Sequence, residues 1–344
     1  MAWLQCLDSN GKSNLKKWLA IAIKAAISGG LIWYLVSNVD MASVGAHIAT
    51  VDIGLLILSC AVLTLQFLIG GFRWNSVLTA LGTPMSSWLA LRLFYIGMFF
   101  NQALPGGTGG DGVRMYLSFK RALPPRSAIN SVIIERVATV LALVLLVDLT
   151  QPLFIPHLSP EIARVSLSVV ASITAVAVVG PVLVAMLDRL PEGLRKWRVI
   201  RGLGNLGADT RRVFGSLGVA LPPLLWSVVG HLNVSLSCYI LALALEVEVT
   251  LLDCVVLIPP VLLVMSVPIS IGGWGVREGA MVWMFALVGV EQDAALALSL
   301  FFGVVALAIS MPGGIVWMMM RGDARGGTLA EADLASFRND HENA

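Results

Sequence analysis

Two stretches of this chain set a proline, three glycines and an arginine at the same spacing. Pro105-Gly-Gly-Thr-Gly109-Gly110-Asp111-Gly112-Val113-Arg114 and Pro268-Ile-Ser-Ile-Gly272-Gly273-Trp274-Gly275-Val276-Arg277 both read P-x-x-x-G-G-x-G-V-R. Glycines let a backbone turn sharply and approach another chain or a ligand closely. A helix restarting after Gly110 or Gly273 aims unpaired N–H groups and a positive dipole end at the bend, and such an end binds phosphate. Arg114 and Arg277 fall in the first turn of that helix, where a guanidinium forks onto phosphate oxygens. The chemistry on offer is anion binding.

Other charges lie in apolar surroundings. Glu135 and Arg136 sit about two turns into a long apolar segment, where a charge costs several kcal/mol unless it is paired or faces water. Two readings stay open for them: part of a substrate site, or an ion pair that locks a neighbouring element to this segment. Asp111 needs a cationic partner, with Arg114 and Arg73 as candidates. Glu278, beside Arg277, is a local counter-charge or a protonation site. Arg73 sits near the end of another segment, where a long basic side chain can snorkel to the interface. His231 and Asn233 read as interhelical hydrogen-bonding residues.

The elements that must position these groups are membrane helices. Of 344 residues, 57% are hydrophobic and 13% charged, against about 45–50% and about 25% for an ordinary soluble domain. The expected fold is an all-α polytopic membrane protein, one membrane domain over 1–344. A span needs about 20 residues, and six segments reach that length: 17–37, 51–71, 128–149, 165–187, 220–245 and 295–320. Short apolar pieces around the two glycine motifs read instead as re-entrant hairpins, since irregular backbone at membrane depth survives only where protein or water satisfies it.

Lys and Arg gather in alternate loops, which sets the sidedness. Lys12, Lys16 and Lys17, Arg73 and Arg92, the Arg114–Arg126 group, the Arg189–Arg212 interval, and Arg321 with Arg325 all fall on one side, the cytoplasm. Both termini and the polar 321–344 tail are then cytoplasmic. The first hairpin enters from inside and the second from outside. The order span, span, hairpin, span thus occurs twice, over 17–149 and 165–320, in opposite orientations. Inverted repeats of this kind place substrate sites near the midplane, on broken helices. The polar interval from Asp188 to Val219 reads as a loop.

Several functions are excluded by pattern. The four cysteines form no CxxC and no metal-like spacing with the four histidines, so neither a metal nor another cofactor is expected. Gly202-Leu-Gly-Asn-Leu-Gly207 matches a dinucleotide fingerprint, but no strand precedes it. The basic interval around it suits anionic headgroups rather than nucleic acid.

The chain resembles the membrane region of lysyl-phosphatidylglycerol synthases and the related flippase-like family of stand-alone membrane proteins. The likeness rests on Arg73-Trp74, Asn101-Gln-Ala-Leu-Pro105 with Gly109-Gly110-Asp111 and Arg114, Glu135-Arg136, and Pro268 with Gly272-Gly273 and Gly275-Val276-Arg277-Glu278. It covers about residues 15–320 and adds Asn101 to the candidate site. It implies lipid translocation in the cell membrane, with no catalytic residue and a membrane lipid as partner; the larger number of buried charges in the first half (Asp111, Glu135, Arg136) predicts loading from the cytoplasmic leaflet. A second copy of the chain or proteins of lipid biosynthesis are further expected partners. The competing readings are an intramembrane lipid-modifying enzyme using Glu135 or Glu278 as base, a non-transporting scaffold, and a transporter of soluble substrates.

Overall fold

A computed structural model describes residues 51–104, 109–121, 123–189, 197–267 and 273–326, with scattered positions between 26 and 50. Most of the expected first span (17–37), most of the polar tail, and the bends at 105–108 and 268–272, Gly272 among them, lie outside the described residues. The described residues are helical, without strands. In chain order the helices are α1 (Ile53–Ala80), α2 (Ser87–Ala103), α3 (Gly109–Lys120), α4 (Pro125–Phe154), α5 (Pro160–Met186), α6 (Arg198–Phe214), α7 (Leu217–Ala244), α8 (Leu251–Met265), α9 (Val276–Ala286) and α10 (Gln292–Gly326).

Four of these helices, α1, α5, α7 and α10, are long and apolar enough to cross a membrane. At 28 residues each, α1 and α7 span about 42 Å at 1.5 Å per residue. Helix α4 has 30 residues, ample length, but it carries Glu135, Arg136 and Asp148. The short helices α2, α3, α8 and α9 fall where the sequence shows short apolar pieces. Local chemistry sets several helix starts. Asp52 accepts from Leu55 N at 2.9 Å, and Thr250 and Asp253 cap α8 reciprocally, which satisfies amides that a helix start leaves open.

The interval expected as a loop is corrected by the structure: residues 198–214 form the amphipathic helix α6. Its buried face carries Gly204, Gly207, Asp209, Thr210 and Val213, while Trp197 and Val199 are exposed. Charge and glycine conceal a 3.6-residue period that becomes visible only once α6 has neighbours to pack against. Arg126, at the start of α4, makes a forked contact with Asp209 (2.9 and 2.6 Å), and Asn130 donates to the same carboxylate at 2.6 Å. Arg212 donates to the carbonyl of Leu81, just past the end of α1, at 3.0 Å. The loop after α1 and the start of α4 therefore both sit beside α6. At the far end of the bundle, Asp52 N donates to Ala244 O at 2.9 Å, and Ser43 bonds Asp293 at the start of α10.

The centre is the contact of α1 with α7. There Ser59 Oγ donates to Ser237 O (2.9 Å) and Ser237 Oγ to Ser59 O (3.1 Å), and Asn233 bonds Gln66 across the same seam. Small hydroxyl residues let two helices approach where lipid gives no hydrophobic force to join them. Helix α2 packs on α10 and α8 packs on α4. In the first contact Gly313 and Gly314 face Tyr95 and Phe99 closely, and Tyr95 Oη donates to Ile309 O at 2.8 Å. Helices α2 and α3 meet at Gly97 and Gly110, so closely that a methyl group on Gly110 would overlap the Gly97 carbonyl.

Gly110→Ala is expected to destabilise the protein by about 1–3 kcal/mol, the cost of overpacking a tight contact. Gly112→Ala, next to it and facing open space, is expected to be neutral or slightly stabilising. Unfolding midpoints of the two variants in detergent give the comparison.

Candidate functional site

The first glycine motif builds a site around one carboxylate. Glu135, on the inner face of α4, accepts from Arg73 Nε of α1 at 2.7 Å through Oε1, and from Arg114 Nη2 of α3 at 2.7 Å through Oε2. All three side chains are buried: Arg73 is 5%, Arg114 2% and Glu135 1% exposed. Arg73 therefore lies inside the protein and does not snorkel. Arg114 lies between the rings of Trp74 (4.8 Å) and Phe94 (5.0 Å), and the faces of both rings attract a cation. Trp74 is oriented in turn by Ser131, which accepts from its indole N–H at 3.1 Å.

At the rim, Arg136 makes a forked contact with Asp111 (2.8 and 3.0 Å). Asp111 also lies 3.4 Å from Arg114. The main partner of Asp111 is thus Arg136, rather than Arg114 or Arg73. Glu135 and Arg136 are neighbours in sequence but point to different faces of α4, about 100° apart at 3.6 residues per turn, one into the protein and one to its edge; the Arg136 side chain is 47% exposed. Asn101, at the end of α2, accepts from Gly110 N at 2.8 Å and so caps the start of α3. Gly109 packs against Leu104. The structure brings Arg73, Asn101, Gly109, Gly110, Asp111, Arg114, Glu135 and Arg136 together, from four helices.

The second motif builds something smaller. Gly273 and Gly275 both take φ of +84°, a left-handed backbone that suits glycine. Glu278 accepts from Gly275 N at 2.5 Å and pairs with the neighbouring Arg277. Arg277 lies over Trp274 at 4.6 Å, donates to Ser299 Oγ at 3.3 Å, and rests on Gly303, where a methyl group would overlap its guanidinium. Arg277 and Glu278 are both buried, each largely satisfied by the other.

Two apolar grooves run beside α4 and α5. One, about 680 Å³, is lined by Asp111, Gly112 and Met115 of α3, Arg136 and its apolar neighbours on α4, and Ala177 and Pro181 of α5. The other, about 450 Å³, lies further along the same two helices, against Pro260 and Val261 of α8 and Trp283 of α9. Sequence reading missed three features here. Asp148, bonded to Thr174 of α5 at 2.9 Å, is an acid deep in an apolar run, a signal that its composition alone carried. The Phe94 face of the Arg114 sandwich and the role of Ser299 had no local signature. His231 and Asn233 do make interhelical bonds, to Thr139 O (3.1 Å) and Gln66.

Among the described residues no group of His, Cys, Asp or Glu is arranged to hold a metal ion. The fold and site define a multi-pass helical membrane protein with a buried, arginine-rich charge cluster. Residues 21–314 match the family described as the lysylphosphatidylglycerol synthase TM region, and the chain belongs to that family. No curated protein matches the sequence.

Glu135→Gln would leave two buried guanidinia without their shared counter-charge. A destabilisation of about 3–5 kcal/mol is expected, as for breaking other buried ion pairs. Lys120→Gln, at the exposed end of α3, is expected to stay within about 0.5 kcal/mol of the parent. Chemical unfolding in detergent measures both.

Proposed function

We propose that this protein is a flippase-like transporter that moves an anionic or phosphate-bearing lipid between leaflets by alternating access. The observation that carries the reading is Arg136: a half-exposed guanidinium, forked onto Asp111, at the head of an apolar groove of about 680 Å³. A lipid phosphate offers the same paired oxygens as the Asp111 carboxylate, so the headgroup exchanges with Asp111 while acyl chains occupy the groove and the bilayer beside it. Arg73, Arg114, Glu135, Asn101 and the glycines Gly109 and Gly110 form the closed interior behind this rim.

The architecture we propose is an inverted repeat with six full spans and two re-entrant pairs, α2–α3 and α8–α9. Support comes from lengths and contacts. A shift of 164 residues carries the start of α1 to that of α7 (53 to 217) and the start of α2 to that of α8 (87 to 251). The contacts exchange in the same way, α2 on α10 and α8 on α4. Both ends of α2–α3 lie near α6, and both ends of α8–α9 lie toward the opposite face. The glycine motifs are offset by 163 residues (114 to 277), and Ser299 contacts Arg277 where Glu135 contacts Arg114, so the second half keeps its arginine but meets it across the helices with a hydroxyl in place of the carboxylate. The halves are thus chemically unequal, and loading occurs at the first, from the cytoplasmic leaflet of the cell membrane, with Arg277, Glu278, Gly272 and Gly273 forming the opposed element. The face shared by the two grooves on α4 runs through Val137, Val140, Val144, Val147 and Gln151, a continuous stripe at helical spacing, and it offers acyl chains an uninterrupted wall.

Protein reconstituted in vesicles is expected to equilibrate a fluorescent phosphatidylglycerol between leaflets, with Arg136→Gln slowing it about tenfold or more while the protein still inserts. Equal rates in empty vesicles and protein-containing vesicles would end the proposal. Separately, cysteines placed at the exposed Pro84 and Pro124 are expected to react with an impermeant reagent from the same side of the membrane; labelling from opposite sides would remove the re-entrant pair.

A further inference from the structure

The interior of the cluster has an unbalanced charge. At the rim, Arg136 and Asp111 cancel. Across the whole cluster three guanidinia, Arg73, Arg114 and the half-exposed Arg136, face two carboxylates, Glu135 and Asp111, the latter 3.4 Å from Arg114 as well, which leaves one excess positive charge shared with the buried pair Arg73 and Arg114. A buried charge left without a partner is costly, more so at membrane depth. The aromatic faces around Arg114 ease this cost but carry no negative charge to cancel it.

Beside these groups is a small cavity of about 30 Å³, lined by the guanidinia of Arg73, Arg114 and Arg136, the carboxylates of Asp111 and Glu135, and Gly97 and Asn101. Arg114 Nε is a buried donor with no hydrogen-bond partner among the described residues. The Asn101 side chain also borders the cavity. Its oxygen is already used by Gly110 N, which leaves the NH2 group as the end available to the cavity. The carboxylate oxygens of Glu135 and Asp111 on the same wall are taken by Arg73, Arg114 and Arg136, so the two groups left over, the Arg114 Nε–H and the Asn101 NH2, are donors.

A cavity of this size holds one or two atoms the size of water. A phosphate group brings four oxygens of that size and does not fit, so a lipid headgroup cannot be the occupant in this arrangement of the helices. A water molecule fits and can accept from Arg114, but it leaves the charge in place. A single monovalent ion satisfies both demands.

We propose that the closed cluster binds one small inorganic anion, a halide such as chloride, between Arg114 Nε and the Asn101 amide. The halide neutralises the excess charge shared by Arg73 and Arg114 and holds α1, α3 and α4 together in the closed form. This site does not depend on the lipid reading, and it supplies that reading with a counter-ion that leaves as a larger anion enters.

The full-length protein in detergent is titrated with sodium chloride or bromide against sodium gluconate at constant ionic strength. Chloride and bromide are expected to raise the unfolding midpoint saturably and to broaden the 35Cl NMR line, whereas gluconate and phosphate, too large for the cavity, do neither. Gly97→Ala, whose methyl group would sit 3.7 Å from Arg114 Cβ and 3.3 Å from Gly110 O, narrows the cavity and is expected to weaken halide binding about tenfold or more. If that variant fails to fold, crystals of the parent grown in bromide decide: anomalous scattering beside Arg114 Nε supports the site. Equal midpoints in chloride and gluconate, unchanged affinity in a folded Gly97→Ala, or ordinary water density beside Arg114 in bromide crystals would each overturn it. Lipid exchange without halide binding removes this inference alone; halide binding without lipid exchange removes the transport proposal alone.

Discussion

A single carboxylate held between two guanidinia is the constraint around which the first half of this protein is organised. Glu135 reaches Arg73 on α1 and Arg114 on α3 at once, so three helices must meet at fixed distances for any of the three charges to be tolerated. Desolvation makes each of these groups expensive alone and much less so as a set. The rest of the neighbourhood serves that meeting. Gly97 and Gly110 remove the side chains that would hold α2 away from α3, Asn101 closes the start of α3, and Trp74 and Phe94 flank the guanidinium that has the least water.

The second glycine motif meets the same burial demand by a shorter route. Arg277 takes its carboxylate from the next residue, Glu278, and uses Ser299 and the bare backbone at Gly303 for the rest. Such a pair is complete within α9 and its contact with α10. A network drawn from three helices can open when those helices move, whereas a pair of adjacent residues travels as a unit. Under the proposed alternating-access function, this difference would make the first motif the part that exchanges partners and the second its rigid counterpart.

Helix α6 and the α4–α5 seam tie this cluster to the membrane. Asp209 gathers Arg126 and Asn130 while Arg212 holds the end of α1, and Val213 packs on Val77, Leu81 and Ile134, so polar bonds and apolar packing together hold this edge of the bundle. Along α4 the polar and apolar faces separate cleanly: Glu135 and Ser131 point inward, while Val137, Val140 and Val144 line the grooves. One helix therefore presents the charged interior and the apolar groove wall within a few ångströms of each other.

Much of this was legible in the chain before any coordinates. Long apolar runs specify α1, α5, α7 and α10 because 20 or so such residues can satisfy their backbone only as helix in lipid. The paired glycine motifs mark where regular spans fail, and the charges stranded in apolar segments name Arg73, Asp111, Arg114, Glu135 and Arg136 as a set. Which of them pair is another matter. That Glu135 faces Arg73 across 62 residues of chain, that Arg136 turns outward to Asp111, and that 198–214 is helix rather than loop depend on how helices cross and which faces they bury. Composition and spacing report the cost of a buried charge; only the tertiary arrangement decides which neighbour compensates it, because the compensation acts over a few ångströms between segments far apart in sequence.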